Sequence, residues 1–266
     1  NLNLSFPIMI SQLGHITVGV ADSLMIGNVS IPQLAAVSLS TSIFGFILLF
    51  CIGLSYGITP LIASKKSDKN YISMTFYNGM YLNMFFTILL VIITIYSKYL
   101  LQYLGQDEEV LFHTYRYLDI IAISLVPLML FQTFKQFIEG LGFTKPAMYI
   151  SIFSNVINII LNAILIFGLF GFPRLEIVGA AYATLISRIL MFIIIFIYCS
   201  NSKRFQEYIL RLNISFNYTS FRAIFGIGFT SGLQYIFEVG AFTVATVIIG
   251  SIGAIQLASH QIALNL

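Results

Sequence analysis

The sequence predicts an all-α integral membrane protein: a six-helix N-terminal lobe followed by the start of a second, pseudo-symmetric lobe running in parallel. Composition is the first observation, with 58% of residues hydrophobic and only 9% charged, and a mean hydropathy of +0.93, far from soluble averages. The second is seven runs long enough to cross a bilayer as helix, which takes about 20 apolar residues. These are Leu4 to Asn28, Pro32 to Ser64, Tyr71 to Ser97, Tyr117 to Ile138, Ala147 to Phe172, Ile177 to Ser200 and Arg222 to Ile249. The third is self-similarity. One ungapped offset lays Ile26-Gly27 on Ile249-Gly250, Gln33-Leu34-Ala35 on Gln256-Leu257-Ala258, and Phe6 on Phe229, so the seventh span restarts the first.

The spans are helical because they far exceed the length of a barrel strand and lack period-2 alternation. Pro7, Pro32 and Pro146 fall near helix starts, where a missing N–H is harmless, whereas Pro60 and Pro127 lie inside spans and are expected to bend them. Pro173 belongs to a turn. With no Trp in the chain, interfacial anchoring falls to tyrosine, with Tyr96, Tyr99, Tyr103, Tyr115 and Tyr117 expected around the third loop. An eighth span opens at Gly253 but stops short at Leu266, and the chain starts at Asn1 rather than Met, so it reads as a fragment cut at both ends.

Lys65, Lys66, Lys69, Lys135, Lys145, Lys203, Arg204, Arg211 and Arg222 follow the even-numbered spans, while the opposite side holds Lys98, Arg116 and Arg174. That bias predicts a cytoplasmic N-terminus, and it attributes the net charge of +3 to topology rather than to nucleic-acid binding. The acidic run Asp107-Glu108-Glu109 reads as a solvated outer loop, and Lys135 with Glu139 as an exposed pair at a helix end. The domain division is 1–200 for the N-terminal lobe, 201–221 for a cytoplasmic linker, amphipathic around Phe205, Tyr208 and Leu212, and 222–266 for the start of the C-terminal lobe. Parallel repeats of this kind are a transporter plan, with binding sites within or between halves.

Ionisable residues within spans mark function by default. Asp22 and Glu238 each stand alone in long apolar runs. In the fifth span Ser151, Asn155, Asn158 and Asn162 are spaced by 4, 3 and 4 residues, one helical stripe that cannot face lipid. In the first span Ser11, His15 and Asp22 share a face, which lets the Asp22 carboxylate meet the Asn158 and Asn162 amides across a helix contact. Carboxylate and amide oxygens are hard ligands, so such a set binds Na⁺ at Asp22, Asn158 and Asn162, or a proton. The competing readings are amides that merely bridge helices, and an Asp22 hydrated near the outer interface. His15 alone reads as a hydrogen-bonded core residue. Gln234 precedes Glu238 by one turn. Arg188, one turn after Thr184, is the intramembrane cation, expected to pair with an acid such as Asp119 or to snorkel.

Several segments in order resemble the multidrug and toxic compound extrusion (MATE) transporters, in their NorM-like branch. They are Pro7 with Asp22-Ser-Leu-Met-Ile-Gly27, Gln33-Leu-Ala-Ala-Val37, Glu139-Gly-Leu-Gly-Phe-Thr-Lys-Pro146, Asn158 with Asn162, Gly179-Ala-Ala-Tyr-Ala-Thr184, Phe237-Glu238 and Ala258-Ser-His-Gln-Ile262. The resemblance implies twelve helices in two lobes at the plasma membrane, exporting drugs or lipophilic cations in exchange for Na⁺ or H⁺. It implies an N-lobe cation or proton site at Asp22, Asn158, Asn162 and Thr184, and a C-lobe site to which Glu238 contributes. Ser11, His15, Asn155, Gln234 and Arg188 are supporting or cavity candidates.

Two other classes compete. A flippase for lipids or lipid-linked saccharides would prefer a strongly basic cavity, for which Arg188 alone speaks. Gly53-Leu-Ser55-Tyr-Gly57 matches the G-x-S-x-G nucleophile pattern of an intramembrane serine protease, but no strand precedes it and small residues in a helix serve close packing. No enzyme activity is expected. The sequence shows no P-loop, no H-E-x-x-H and no C-x-x-C; Cys51 and Cys199 read as buried thiols, no cofactor beyond the coupling ion is indicated, and no obligate protein partner is evident.

Overall fold

The computed structural model describes residues 2–104, 108–209 and 216–252, with the side chains of 2–5, 8, 12, 13, 15, 16 and 242–252 outside the description. Among the described residues the chain is helix and turn only. They form, in order, α1 (Leu2–Gly27), α2 (Ile31–Ser55), α3 (Ile58–Ser64), α4 (Lys69–Ser97), α5 (Glu108–Gly140), α6 (Lys145–Phe167), α7 (Glu176–Asn201), α8 (Gln206–Ile209) and α9 (Tyr218–Ile252). Five segments are long and apolar enough to cross a membrane: Ile31–Ser64, Lys69–Tyr103, Glu108–Gly140, Lys145–Phe167 and Glu176–Asn201. The chain is a multi-pass membrane protein. The expected eighth span lies outside the described residues.

Beside a hydrophobic core that includes Ile72, Phe76 and Leu82, α4 shows burial unlike that of a soluble helix. On α4 the residues Phe85, Ile88, Leu89, Ile92, Ile93 and Tyr96 form an exposed apolar stripe, whereas Ser73, Thr75, Asn78, Asn83 and Thr87 are buried. A soluble helix shows the reverse pattern, and lipid in place of water accounts for it, since buried hydroxyls and amides then find their partners inside. Asn83 Nδ2 donates to Thr133 Oγ1 at 2.9 Å, and Thr133 Oγ1 donates to the Met129 carbonyl at 2.9 Å.

Helix ends follow local chemistry. Ser30 caps α2 by accepting from the Gln33 amide at 3.3 Å, with Pro32 in the first turn. Asp68 caps α4 through the Tyr71 amide at 3.0 Å. The second span breaks between α2 and α3 at Tyr56 and Gly57. Pro60 explains the place, because its missing N–H would have bonded the Tyr56 carbonyl four residues back. Helix α5 instead runs unbroken through Pro127, and Pro7 lies in the second turn of α1 rather than at its start. The turn from α5 to α6 requires Gly142, whose φ of 97° suits glycine.

The central helix is α5, which packs on α2, α3, α4 and α7, while α1 packs mainly on α6, and α9 on α2 and α4. Glu108 and Glu109 occupy its first turn, favourable at a helix N-terminus, so they extend α5 beyond the expected Tyr117 start rather than forming a loop. Tyr96, Tyr99 and Tyr103 are exposed and Tyr115 is half-buried, whereas Tyr117 is only 3% exposed and belongs to the interior rather than to an interfacial belt. Lys135 likewise departs from expectation. It is 2% exposed, and the ion pairs among the described residues are Lys69–Glu207, Lys98–Asp119 and Arg174–Glu176, so Lys135 and Glu139 are no exposed pair.

Among the described residues of the expected linker, those on either side of 210–215 are held by packing and hydrogen bonds. Phe205 is 1% exposed, with rings of Phe137, Phe143 and Tyr198 within 6.0, 5.4 and 5.9 Å. The Tyr77 hydroxyl donates to the Ile209 carbonyl, and the Asn217 amide to Asn78 Oδ1 at 3.0 Å. Leu212, expected on the same amphipathic face, lies outside the described residues.

Candidate functional site

Helix α6 carries the polar stripe that its spacing predicts. Ser151, Ser154, Asn155, Asn158 and Asn162 are buried, while Tyr149, Phe153, Val156 and Ile160 face outward. The buried amides link three helices. Asn162 Nδ2 donates to Asp22 Oδ1 on α1, and to Asn158 Oδ1 at 3.1 Å. Asn158 Nδ2 donates to Thr184 Oγ1 at 3.4 Å and to Ser187 Oγ at 3.2 Å, both on α7. Asp22 thus ends a polar relay through Asn162 and Asn158 to Thr184 and Ser187. Asp22 is 8% exposed, enclosed between helices at the edge of a cavity.

Helix α1 comes close to α6. A Cβ on Gly14 would stand 2.5 Å from Asn155 Nδ2, so glycine there lets α1 approach the stripe. Asn162 Oδ1 is buried without a hydrogen-bond partner, as are Asn155 Nδ2, Ser151 Oγ and Ser11 Oγ. An unsatisfied buried polar atom costs about 1–3 kcal/mol. The Asn162 oxygen is thus an unpaired hard donor on the residue whose amide bonds Asp22, the kind of atom a small cation takes as a ligand.

The relay borders a cavity of about 390 Å³ between α1, α2, α5, α6 and α7, into which Asp22, Asn155, Asn158, Thr184, Ser187 and Arg188 project. Its apolar walls include Phe44, Leu48, Ile52, Tyr117 and Met191. Few polar groups in an apolar concavity is the usual make-up of a small-molecule site. Arg188 Nη1 donates to Ser124 Oγ at 2.6 Å, and its guanidinium lies 5.7 Å from the Phe44 ring.

The structure brings together Asp22, Asn158, Asn162 and Thr184, with Asn155 and Arg188 on the same cavity. Ser11 is buried nearby on α1 but does not line it, and the side chain of His15 lies outside the described residues. Glu238 and Gln234 are exposed on α9, away from that cavity. Arg188 does not pair with Asp119. Lys98 takes both Asp119 oxygens at 2.6 Å, because the turn after α4 folds Lys98 back against α5. Cys51 and Cys199 are buried, unpaired thiols, and no group of three His, Cys, Asp or Glu forms among the described residues. Gly53 and Gly57 serve packing, not a nucleophile elbow: Ser55 Oγ donates to the Ile52 carbonyl at 2.6 Å, and a Cβ on Gly53 would lie 2.5 Å from Gly232 Cα on α9.

Sequence reasoning missed Ser187, Ser124, Tyr117 and Gln132. Ser187 carried a signal, standing three residues after Thr184 on the same helical face. Ser124, Gln132 and Gln136 recur at multiples of four along α5, a second polar stripe that spacing could have revealed.

The MatE family model matches residues 7–164. The "Multidrug resistance protein NorM" of Photobacterium profundum is 32% identical over 269 residues, covering 99% of this chain and 59% of the relative. The "Probable multidrug resistance protein NorM" of Haemophilus ducreyi is 34% identical, covering 98% of this chain and 58% of the relative. The chain therefore spans somewhat under three fifths of the length of these relatives. Among solved structures, a MATE protein in a straight conformation superposes with a TM-score of 0.84 at 22% identity, covering 99% of this chain and 59% of that one. The same comparison with a bent conformation gives 0.82 at 22% identity, covering 97% and 57%. A MOP superfamily transporter from Pyrococcus furiosus, described as having a binding pocket of reverse polarity that suggests a different function, gives 0.83 at 21%, covering 99% and 58%.

Proposed function

This chain belongs to the MatE family, and from that premise we propose that it forms part of a cation-coupled antiporter, not an enzyme, exporting drugs or other lipophilic, cationic small molecules. The observation that carries this reading is the buried Asp22 carboxylate, hydrogen-bonded by Asn162 at the edge of a largely apolar cavity. A carboxylate so placed binds a cation strongly in one conformation and weakly in another, and only that difference can drive a conformational change. The coupling ion is Na⁺ or H⁺. Asp22, Asn158, Asn162 and Thr184 hold it, and Glu238 contributes to a separate site in the second lobe.

Residues 1–200 form the first lobe, 201–221 the linker and 222–266 the start of the second lobe, in a plasma-membrane protein with a cytoplasmic N-terminus. Cation occupancy at Asp22 changes the shape of α1, with Pro7 as its place to bend, while the lobes rock about a central cavity. Phe44, Tyr117 and Met191 give flat lipophilic cations their apolar and π contacts.

The test is efflux of a fluorescent lipophilic cation from cells expressing the protein, with the Na⁺ and H⁺ gradients dissipated separately and Asp22→Asn as control. Loss of efflux with one gradient and with the variant is expected, and names the ion. Export by Asp22→Asn at the unaltered rate would remove Asp22 from the mechanism; no efflux under any condition would turn the assignment toward a flippase.

A further inference from the structure

The cavity holds a second charge, opposite in sign to Asp22, that the cation site does not use. Arg188 projects into it from α7, one turn beyond Thr184. A guanidinium carries five N–H donors in a planar fork, yet this one makes a single hydrogen bond among the described residues, to the neutral Ser124 hydroxyl at 2.6 Å. Ser124 Oγ in turn donates to the Ile121 carbonyl at 2.6 Å, which fixes the hydroxyl as an acceptor and the guanidinium in orientation. Among the described residues no carboxylate lies within ion-pair distance: Asp119 is engaged by Lys98, and Asp22 is bonded to Asn162. A cation with spare donors on a largely apolar cavity is costly unless something completes its coordination.

We propose that Arg188 is an anion-docking group, and that the cavity takes amphipathic molecules bearing a carboxylate, zwitterions included. The carboxylate meets the free edge of the guanidinium, and the flat apolar body lies against Phe44, Leu48 and Met191. One guanidinium matches one planar monoanion. A diphosphate head group, carrying more charge, would call for several. The proposal rests on the cavity being the substrate site, and it adds a rule of charge. With Asp22 neutralised by its coupling ion, Arg188 is left as the unbalanced charge of the cavity, so carboxylate-bearing ligands bind more tightly and purely cationic ones lose their partner.

Tetramethylrhodamine and its methyl ester test this, because the acid is a zwitterion and the ester a cation of nearly the same shape. Both are titrated by fluorescence anisotropy into the purified full-length protein. Arg188→Gln is expected to weaken the acid relative to the ester by about ten-fold, the loss of one charged hydrogen-bond contact, and Arg188→Lys to restore part of the difference. Asp22→Asn is expected to shift the ratio the other way, toward the acid. Should Arg188→Gln fail to fold, Arg188→Lys and Asp22→Asn still decide the matter. An acid-to-ester ratio that stays constant through these variants overturns the proposal, even with cation-coupled efflux intact. Absence of binding by either dye overturns both this proposal and the cavity as a substrate site. Failure of efflux to depend on any gradient, with the dye selectivity present, sinks only the coupled antiport.

Discussion

Asn162 uses both amide hydrogens, one on Asp22 and one on Asn158 at 3.1 Å, while its oxygen stays unpartnered. Bonds between membrane helices average only about 0.6 kcal/mol, so helix bridging alone is a weak use for a relay this long. Asn158→Ala combined with Asn162→Ala should therefore weaken coupling-ion affinity by about ten-fold while dye affinity changes far less. Equal losses in both would leave the amides as helix bridges. Gln33 is a contrasting case. Its Nε2 donates to Glu176 Oε2 and its Oε1 accepts from the Ile177 amide at 3.1 Å, tying α2 to the start of α7. Gln33→Ala should lower stability by about 1–3 kcal/mol, read as a lower Tm with dye binding intact; an unchanged Tm would show that the tie carries no weight. The α6 stripe was legible because helical spacing alone puts its amides on one face. Ser187 and Ser124 were legible only as polar residues at helical spacing, and Tyr117 not at all, since which residues of α5 and α7 turn toward the cavity depends on packing. Arg188 misled for the same reason, as Lys98 is nearer to Asp119 only once the turn after α4 has formed.

At the scale of elements, α2 and α9 meet through small residues at four-residue spacing, Gly53 and Gly57 on one side and Gly228 and Gly232 on the other. A Cβ on Gly53 would stand 2.5 Å from Gly232 Cα, and one on Gly232 2.8 Å from the Phe50 ring, distances that real side chains do not adopt. Small residues at such a crossing let the two backbones touch. Gly228→Val should force them apart, with lower yield of folded protein and a lower Tm. Gly226→Val, where a Cβ has open space, should be tolerated. Equal tolerance of the two would mean that close approach is not what holds α9. The glycine spacing was visible in the sequence, as was an irregularity at Pro60, expected as a bend and found as a break. Which helix the glycines would meet was not, because period-four small residues announce a close contact without naming the partner.

At the scale of the molecule, α2 joins two regions: Phe44, Leu48 and Ile52 wall the cavity, while Phe50 and Gly53 carry α9. A displacement of α9 that drags α2 must therefore deform the cavity wall, and ligand binding must bias the position of α9 in return, since such coupling is reciprocal. The Phe50 and Phe229 rings, 5.9 Å apart and edge to face, mark a place to lock this contact. With Cys51→Ser and Cys199→Ser removing the thiols of these 266 residues, and any cysteine elsewhere in the full-length protein replaced likewise, Phe50→Cys and Phe229→Cys can be bridged by a short bifunctional thiol reagent. If the lobes rock about this crossing, bridging should reduce export to background while the methyl ester of tetramethylrhodamine still binds. Reduction of a cleavable bridge should then restore export. Export at the unbridged rate in the locked protein would place the motion elsewhere in the molecule. Loss of dye binding together with export would mean that the bridge had deformed the cavity, so that α2 is a structural wall and not the element that transmits movement.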